Sequence, residues 1–449
     1  MTPAAIPLNL SATSAALCTV FIFLVPFAGA GLALINTGLG RSRSAAHSMM
    51  SALCAISVAA LVYFVCGFAW QGLAGQPSHV IRLGGSSWDW IGAGPLLFRH
   101  LPMDGSPVSL AALLGMFSVG LGALIPTGAG CDRWRLGACC ASTALLAGWT
   151  FPLFAHWVWG GGWLAQLGVK YGMGHGFVDA GGSGAIHVVG GLTALSIAWI
   201  IGPRHGKYAR DGMPSAIPGH NVVLVVFGCA MALVGWLGLN AAGAILFYAV
   251  DPGRAVGIAI NTLISATSAA VAAAVITNIR FGKPDTSLSA NGWIGGLVAS
   301  SAAAAFIVPA EAAIIGLVAG TLVTLSVEWF ELRMSVDDPA GAISAHAVGG
   351  LWGLLAAGLF ATFPEQAAGA VGSLGSSASG QWLAQIVGIA TLIGFVLPLT
   401  YGLNLLLNRF LAQRVAPEGE RQGMDLYELG AGAYPEFLTH SEEFTQRKL

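Results

Sequence analysis

The stretch AIHVVGGL, residues 185–192, returns as SAHAVGGL at residues 344–351. Both copies read His-x-Val-Gly-Gly-Leu, with His187 and His346 lying 159 positions apart. Each sits inside a long apolar run, where little else is polar. A matched pair of imidazoles in such surroundings asks what the runs are and how the two copies face one another.

The runs are membrane spans. Of 449 residues, 55% are hydrophobic and only 9% charged, with a mean hydropathy of +0.75, whereas a soluble domain carries about 25% charged residues. The apolar stretches approach or exceed the roughly 20 residues that a helix needs to cross a bilayer, not the roughly 10-residue alternating segments of a barrel. The fold class is therefore all-α and polytopic. Glycine, at 63 residues, suits helices that pack through close backbone approach in lipid.

Charges, Gly and Pro divide the chain into about eleven spans: 12–36, 46–71, 107–127, 137–159, 183–202, 220–240, 255–277, 288–308, 310–330, 343–363 and 383–408. Residues 1–412 form a membrane domain, and a charged tail runs from 413 to 449. The first run has no preceding Lys or Arg, which favours a first span over a cleaved signal peptide. The odd-numbered connections hold Arg41, Arg43, Arg133, Arg135, Arg204, Lys207, Arg210, Arg280, Lys283 and Arg333, while the even ones hold only Arg82, Arg99, Lys170 and Arg254. Basic residues stay in the cytoplasm, so the N-terminus faces out and the tail faces in. Span five then runs inward and span ten outward, which makes the histidine motifs antiparallel. That is the mark of two inverted five-helix repeats, about 12–202 and 220–363, plus a final helix, with a substrate path between the halves.

The repeat extends upstream. Asp179 precedes His187 by eight residues and Asp338 precedes His346 by eight. Each carboxylate lies where it can cap the free amides of a helix start, and a negative charge near the mouth also favours an approaching cation. An ionisable group inside a membrane costs roughly 2.5–3.5 kcal/mol for a central Arg, Lys or Asp. The histidines are therefore read as functional, against the plainer reading that each only bonds a neighbouring helix. In AHWVWGGGW, Trp157 and Trp163 are assigned to the interfacial aromatic belt, while a Trp beside a vestibule can bind a small cation through its ring face.

Several functions are excluded or disfavoured. The net charge of −1 and the lack of a Lys/Arg cluster give nucleic acid no footprint. The seven cysteines show no C-x-x-C pair and read as small core residues. No H-E-x-x-H, G-x-S-x-G or P-loop appears, so the chain is not read as an enzyme, and no metal or cofactor is implied.

HWVWGGGWLAQ, DAGGSGAIHVVGG, GWLGLNAAGA, GKPDTSLSANGWIGGLVA, DDPAGAISAHAVGGLWG and the tail ERQGMDLYELGAGAYPEF together resemble the ammonium transporter (Amt/Mep/Rh) family, in its Amt branch. The likeness runs from GAGLALINTGLGR in the first span to the tail. It implies a homotrimer in the cytoplasmic membrane, each subunit with its own pore for ammonium or methylammonium and a central histidine pair at His187 and His346. It maps the recruiting tryptophan onto Trp159, a gate phenylalanine onto Phe117, the second gate position onto Leu239 and the conserved acid onto Asp179. It also implies a tail that couples to PII signal proteins.

The chain departs from the family at the outer filter. GWLGLNAAG replaces GWFGFNAGS, putting Leu239 for a gate ring and Gly243 for the recruiting serine. Ala69 stands for a serine in GFAWQ, and Gly341 stands where an aspartate commonly precedes the second histidine by five residues. The pore centre is intact while the filter has lost hydroxyls and a ring. Restoring Leu239→Phe with Gly243→Ser is expected to raise ammonium-evoked current. The other functions in view are a diverged, non-conducting ammonium sensor and conduction of water or carbon dioxide.

Overall fold

Long apolar runs with internal glycines dictate helices that cross at short range, and the computed structural model shows how they do so over residues 10–363 and 379–434. Among these residues, ten helices are long and apolar enough to span a membrane. Spans one to five are Ala12–Leu39, Ser42–Gln71, Pro107–Gly130, Leu136–Val158 and Ser183–Ile201. Spans six, seven and nine to eleven are Val222–Tyr248, Pro252–Phe281, Pro309–Met334, Ile343–Phe360 and Gln381–Phe410. Their outward faces carry exposed apolar side chains such as Phe23, Leu61, Val223, Ile279 and Phe410, as a lipid-facing surface requires.

Span eight differs from the expected 288–308. Its helix, Thr286–Ser301, has 16 residues, and the chain beyond it is not helical. Non-helical backbone at membrane depth persists only where protein satisfies it, and here it does. The Ser301 and Ala302 carbonyls accept from the amides of Gly181 and Ala180 at 2.7 and 3.0 Å. Asn261 Nδ2 donates to the Ala304 and Ile307 carbonyls at 2.9 and 2.8 Å.

The halves meet through small residues. Span one lies against span six so closely that a Cβ on Gly31 would be 2.5 Å from the Gly228 carbonyl oxygen. Spans five and ten cross likewise: a Cβ on Gly191 would lie 2.5 Å from the Ala347 nitrogen, and one on Gly350 2.7 Å from the Ser183 carbonyl. The Gly-Gly after each histidine is thus a helix-crossing device.

Connection two contains an antiparallel hairpin, β1 (Ser78–Leu83) and β2 (Ser86–Gly92), an addition to the all-helical expectation. It is anchored by Trp157, whose Nε1 donates to the Trp90 carbonyl at 2.8 Å. Trp157 is fully buried, so its assignment to a lipid-interface belt is corrected: hairpin and helix enclose it. Trp163 packs edge-on against it, with ring centroids 5.8 Å apart.

At the opposite face the tail joins connections one, three and five. The Arg135 amide donates to the Gln413 carbonyl and the Val415 amide to the Arg133 carbonyl. The Asp425 carboxylate caps span two through the amides of Ala46 and His47, at 3.1 and 2.7 Å. Glu428 accepts from the Leu136 amide and His47 Nε2, and Glu420 from the His205 amide. The basic connections and the tail share one side, as the charge bias requires.

Candidate functional site

Spans five and ten start in the same way. Asp179 Oδ2 accepts from the amides of Gly184 and Ala185 at 2.9 and 2.8 Å, and Asp338 Oδ2 accepts from the Ile343 amide at 2.7 Å. Each helix then opens in a wide i→i+5 turn, Ser183–Val188 and Ile343–Val348, a form found often at functional sites. Three residues after each aspartate stands a glycine in the left-handed region, Gly182 at φ 84° and Gly341 at φ 64°. Gly341, which stands where an aspartate is common in the family, has a conformational role here. It is the repeat partner of Gly182, and a Cβ there would collide with the Asn291 side chain.

Two turns deeper the imidazoles meet. His187 Nδ1 and His346 Nδ1 lie 3.3 Å apart, with ring centroids at 5.3 Å and both side chains buried. A hydrogen bond between two Nδ1 atoms needs one to donate and the other to accept, so the neutral pair holds opposite tautomers. Trp236 of span six stacks flat on His187, 4.9 Å between centroids at 8°, and fixes its ring plane. Trp236 lies within GWLGLN, where nothing in the sequence marks this contact. His187 Nε2 has no hydrogen-bond partner among the described residues.

The hairpin-side mouth brings together some expected residues and not others. Trp159 Nε1 donates to the Asp179 carbonyl at 2.8 Å, and the Asp179 amide donates to the Tyr248 hydroxyl at 2.8 Å. Trp159 stacks at 4.7 Å and 6° on Phe247, a neighbour the motif comparison did not offer. Leu239 is buried one helical turn beyond Trp236. Phe117 is half-buried on the face of span three that meets spans one and two, where a Cβ on Gly29 would touch Leu124 and one on Gly120 would touch Ile56. The face turned to span five carries Ser118 and Gly122 instead, a Cβ on Gly122 lying 3.5 Å from the Ile186 carbonyl. Ala69 is packed beneath the chain leaving the hairpin, its carbonyl accepting from the Gly94 amide. Gly243 has no room for a serine, because a Cβ there would collide with the Ala180 carbonyl. The paired restoration of Leu239→Phe with Gly243→Ser is therefore corrected: the second change would displace the loop that carries Asp179.

The tail-side mouth is ionic. Arg204 grips Asp337 through Nε at 2.9 Å and Nη2 at 3.0 Å and reaches Asp132 at 3.0 Å. Arg133 Nη2 donates to the Asp337 carbonyl at 2.7 Å. Burial pushes the Asp337 carboxyl up, but the guanidinium groups of Arg133 and Arg204 outweigh it and hold the group at about 2. Burial also pushes the Glu428 carboxyl up, and its bonds to His47 and the Leu136 amide reverse that, leaving it below the usual range.

Two inverted halves crossing at a buried imidazole pair, with aromatic rings around Asp179 at one end and a cluster of ion pairs at the other, define a polytopic membrane protein of the transporter class. Comparison with known proteins names it further. The Ammonium Transporter Family matches residues 16–434. Ammonium transporter Amt2 of Archaeoglobus fulgidus is 34% identical over 442 residues, covering 94% of this chain and 88% of that protein. The ammonium transporter of Bacillus subtilis is 33% identical over 428 residues, covering 94% and 99%. Among solved structures, a sensor Amt protein superposes with a TM-score of 0.80 at 26% identity, covering 92% of this chain and 98% of that one. The chain belongs to the ammonium transporter family.

Proposed function

We propose that this protein carries ammonium, or methylammonium, across the cytoplasmic membrane through a narrow path that crosses the His187–His346 pair in each subunit of a homotrimer. The observation that carries the reading is the imidazole pair, buried with its Nδ1 atoms 3.3 Å apart where the two halves cross. Energetics supply the mechanism. Moving an intact ammonium ion into a dry channel costs on the order of ten kcal/mol, whereas a ring-face contact returns about 2 kcal/mol. The cation therefore gives up its proton near the Asp179–Trp159 mouth, and neutral ammonia passes the imidazoles. The proton is relayed along the bonded pair, each ring being donor and acceptor in its neutral form, and rejoins ammonia on the far side, so that one charge crosses with each substrate.

On this reading the hairpin side faces outward, residues 1–412 form the transport unit, and the tail from 413 faces the cytoplasm as the docking element for a PII-type regulator. A non-conducting ammonium sensor has one observation in its favour: Phe247 covers a face of Trp159 that would otherwise meet a cation. Uptake of methylammonium into proteoliposomes, competed by ammonium, separates the two. Saturable uptake above protein-free vesicles supports transport, and its absence with retained ammonium binding supports the sensor.

A further inference from the structure

Ser118 is 1% exposed, yet its hydroxyl has no hydrogen-bond partner among the described residues. Buried serines and threonines in helices normally bond the carbonyl four residues back, and in this protein Thr193, Ser196, Thr262, Thr277 and Thr324 all do so. Ser118 does not, although the same option lies open to it. A buried polar group left unpaired costs stability and calls for a reason.

Its position supplies one. Ser118 shares a face of span three with Gly122 and Ile125, spaced by whole helical turns. That face lies on span five, where a Cβ on Gly122 would sit 3.5 Å from the Ile186 carbonyl and one on Gly190 would sit 2.5 Å from Ile125 Cδ1. Spans three and five run in the same direction, so Ser118 stands one turn, about 6 Å, to the hairpin side of the Ile186–His187 level. Span six reaches a similar depth from its own side. Trp236 stacks on His187, and Leu239 follows three residues later, about 4.5 Å further on. Span six offers no hydroxyl at this depth, since Leu239 is apolar, Gly243 is closed by the Ala180 carbonyl, and the Tyr248 hydroxyl lies further out, engaged by the Asp179 amide.

We propose that the Ser118 hydroxyl is the polar contact for the substrate nitrogen just above the imidazole pair, accepting an N–H from ammonium or methylammonium and donating to the lone pair of ammonia. The assignment rests on the transport path proposed above and names a residue of that path. It explains why the hydroxyl forgoes its backbone bond: it is held for a small nitrogen ligand.

The test is Ser118→Ala, measured three ways on the purified, reconstituted chain: methylammonium uptake, calorimetric ammonium binding and melting temperature. Removing an unpaired hydroxyl leaves the melting temperature unchanged or higher, and losing a substrate hydrogen bond raises the half-saturating concentration about tenfold. An unchanged half-saturation overturns the proposal, as does a rise that only tracks a fall in melting temperature. If the parent binds ammonium but carries none, the transport reading fails; loss of binding in Ser118→Ala then still supports the contact, and retained binding overturns it. A parent that neither binds nor carries ammonium overturns both.

Discussion

The starts of spans five and ten are built alike and surrounded differently. Each has a capping aspartate, a left-handed glycine three residues on, and a histidine eight residues on: Asp179, Gly182 and His187 in one, Asp338, Gly341 and His346 in the other. Around Asp179 stand Trp159 and Tyr248, whereas Asp338 follows Asp337, the centre of a cluster with Arg133, Arg204 and Asp132. The shared aspartate and glycine are what a helix start demands of any sequence, while the shared histidines meet as the buried pair. The unshared part belongs to the two ends, one lined by aromatic rings around Asp179, the other built of ion pairs and tied to the tail.

Substitutions should separate these parts. The largest effect is expected from Arg204→Ala, which removes the two-bond partner of the buried Asp337 carboxylate and leaves it only Arg133 at 4.0 Å. Breaking a buried pair in this way costs about 3–5 kcal/mol, read as a drop in detergent melting temperature, with no counterpart at the Asp179 end. Next come Gly182→Ala and Gly341→Ala, each forcing a Cβ into the left-handed region and into Ile186 or Asn291 respectively. Each should cost about 1–2 kcal/mol, and similar losses in the two variants would confirm that the starts are equivalent.

Acid comes third. The Asp337 carboxyl is held at about 2, below its ordinary 3.8. A depressed carboxyl gives stability that is fully present above its unfolded value and lost as pH falls toward the folded one. The melting temperature should therefore hold down to pH about 4 and lose about 2 kcal/mol of stability between there and pH 2. Smallest is Asp425→Asn, which weakens the cap on span two by about 1 kcal/mol. It should leave the membrane helices intact while exposing the tail to protease.

Much of the fold was legible because spans are set by length and hydropathy, which are local. Ten of the eleven expected spans appear as long helices, and the antiparallel histidine motifs meet as the inverted repeat required. What escaped depends on partners distant in sequence. Span eight unwinds because Asn261 and the Ala180–Gly181 amides take up its carbonyls. Trp157 is buried because a hairpin from connection two covers it. Trp236 could have been suspected as the one large ring in GWLGLN, but its stacking on His187 is a tertiary fact. Gly341 was readable in principle, since the eight-residue spacing that paired Asp338 with Asp179 also pairs it with Gly182. Phe117 and Ser118 are sequence neighbours on different faces of span three, and motif comparison cannot choose between adjacent residues as helix packing does.

The central claim is that substrate passes the His187–His346 pair, and an ammonium pulse on proteoliposomes with charge movement recorded tests it most directly. The account predicts a substrate-dependent current from the parent that is lost in His187→Ala while the variant still reconstitutes and melts as a folded protein. A His187→Ala current equal to the parent's would contradict it.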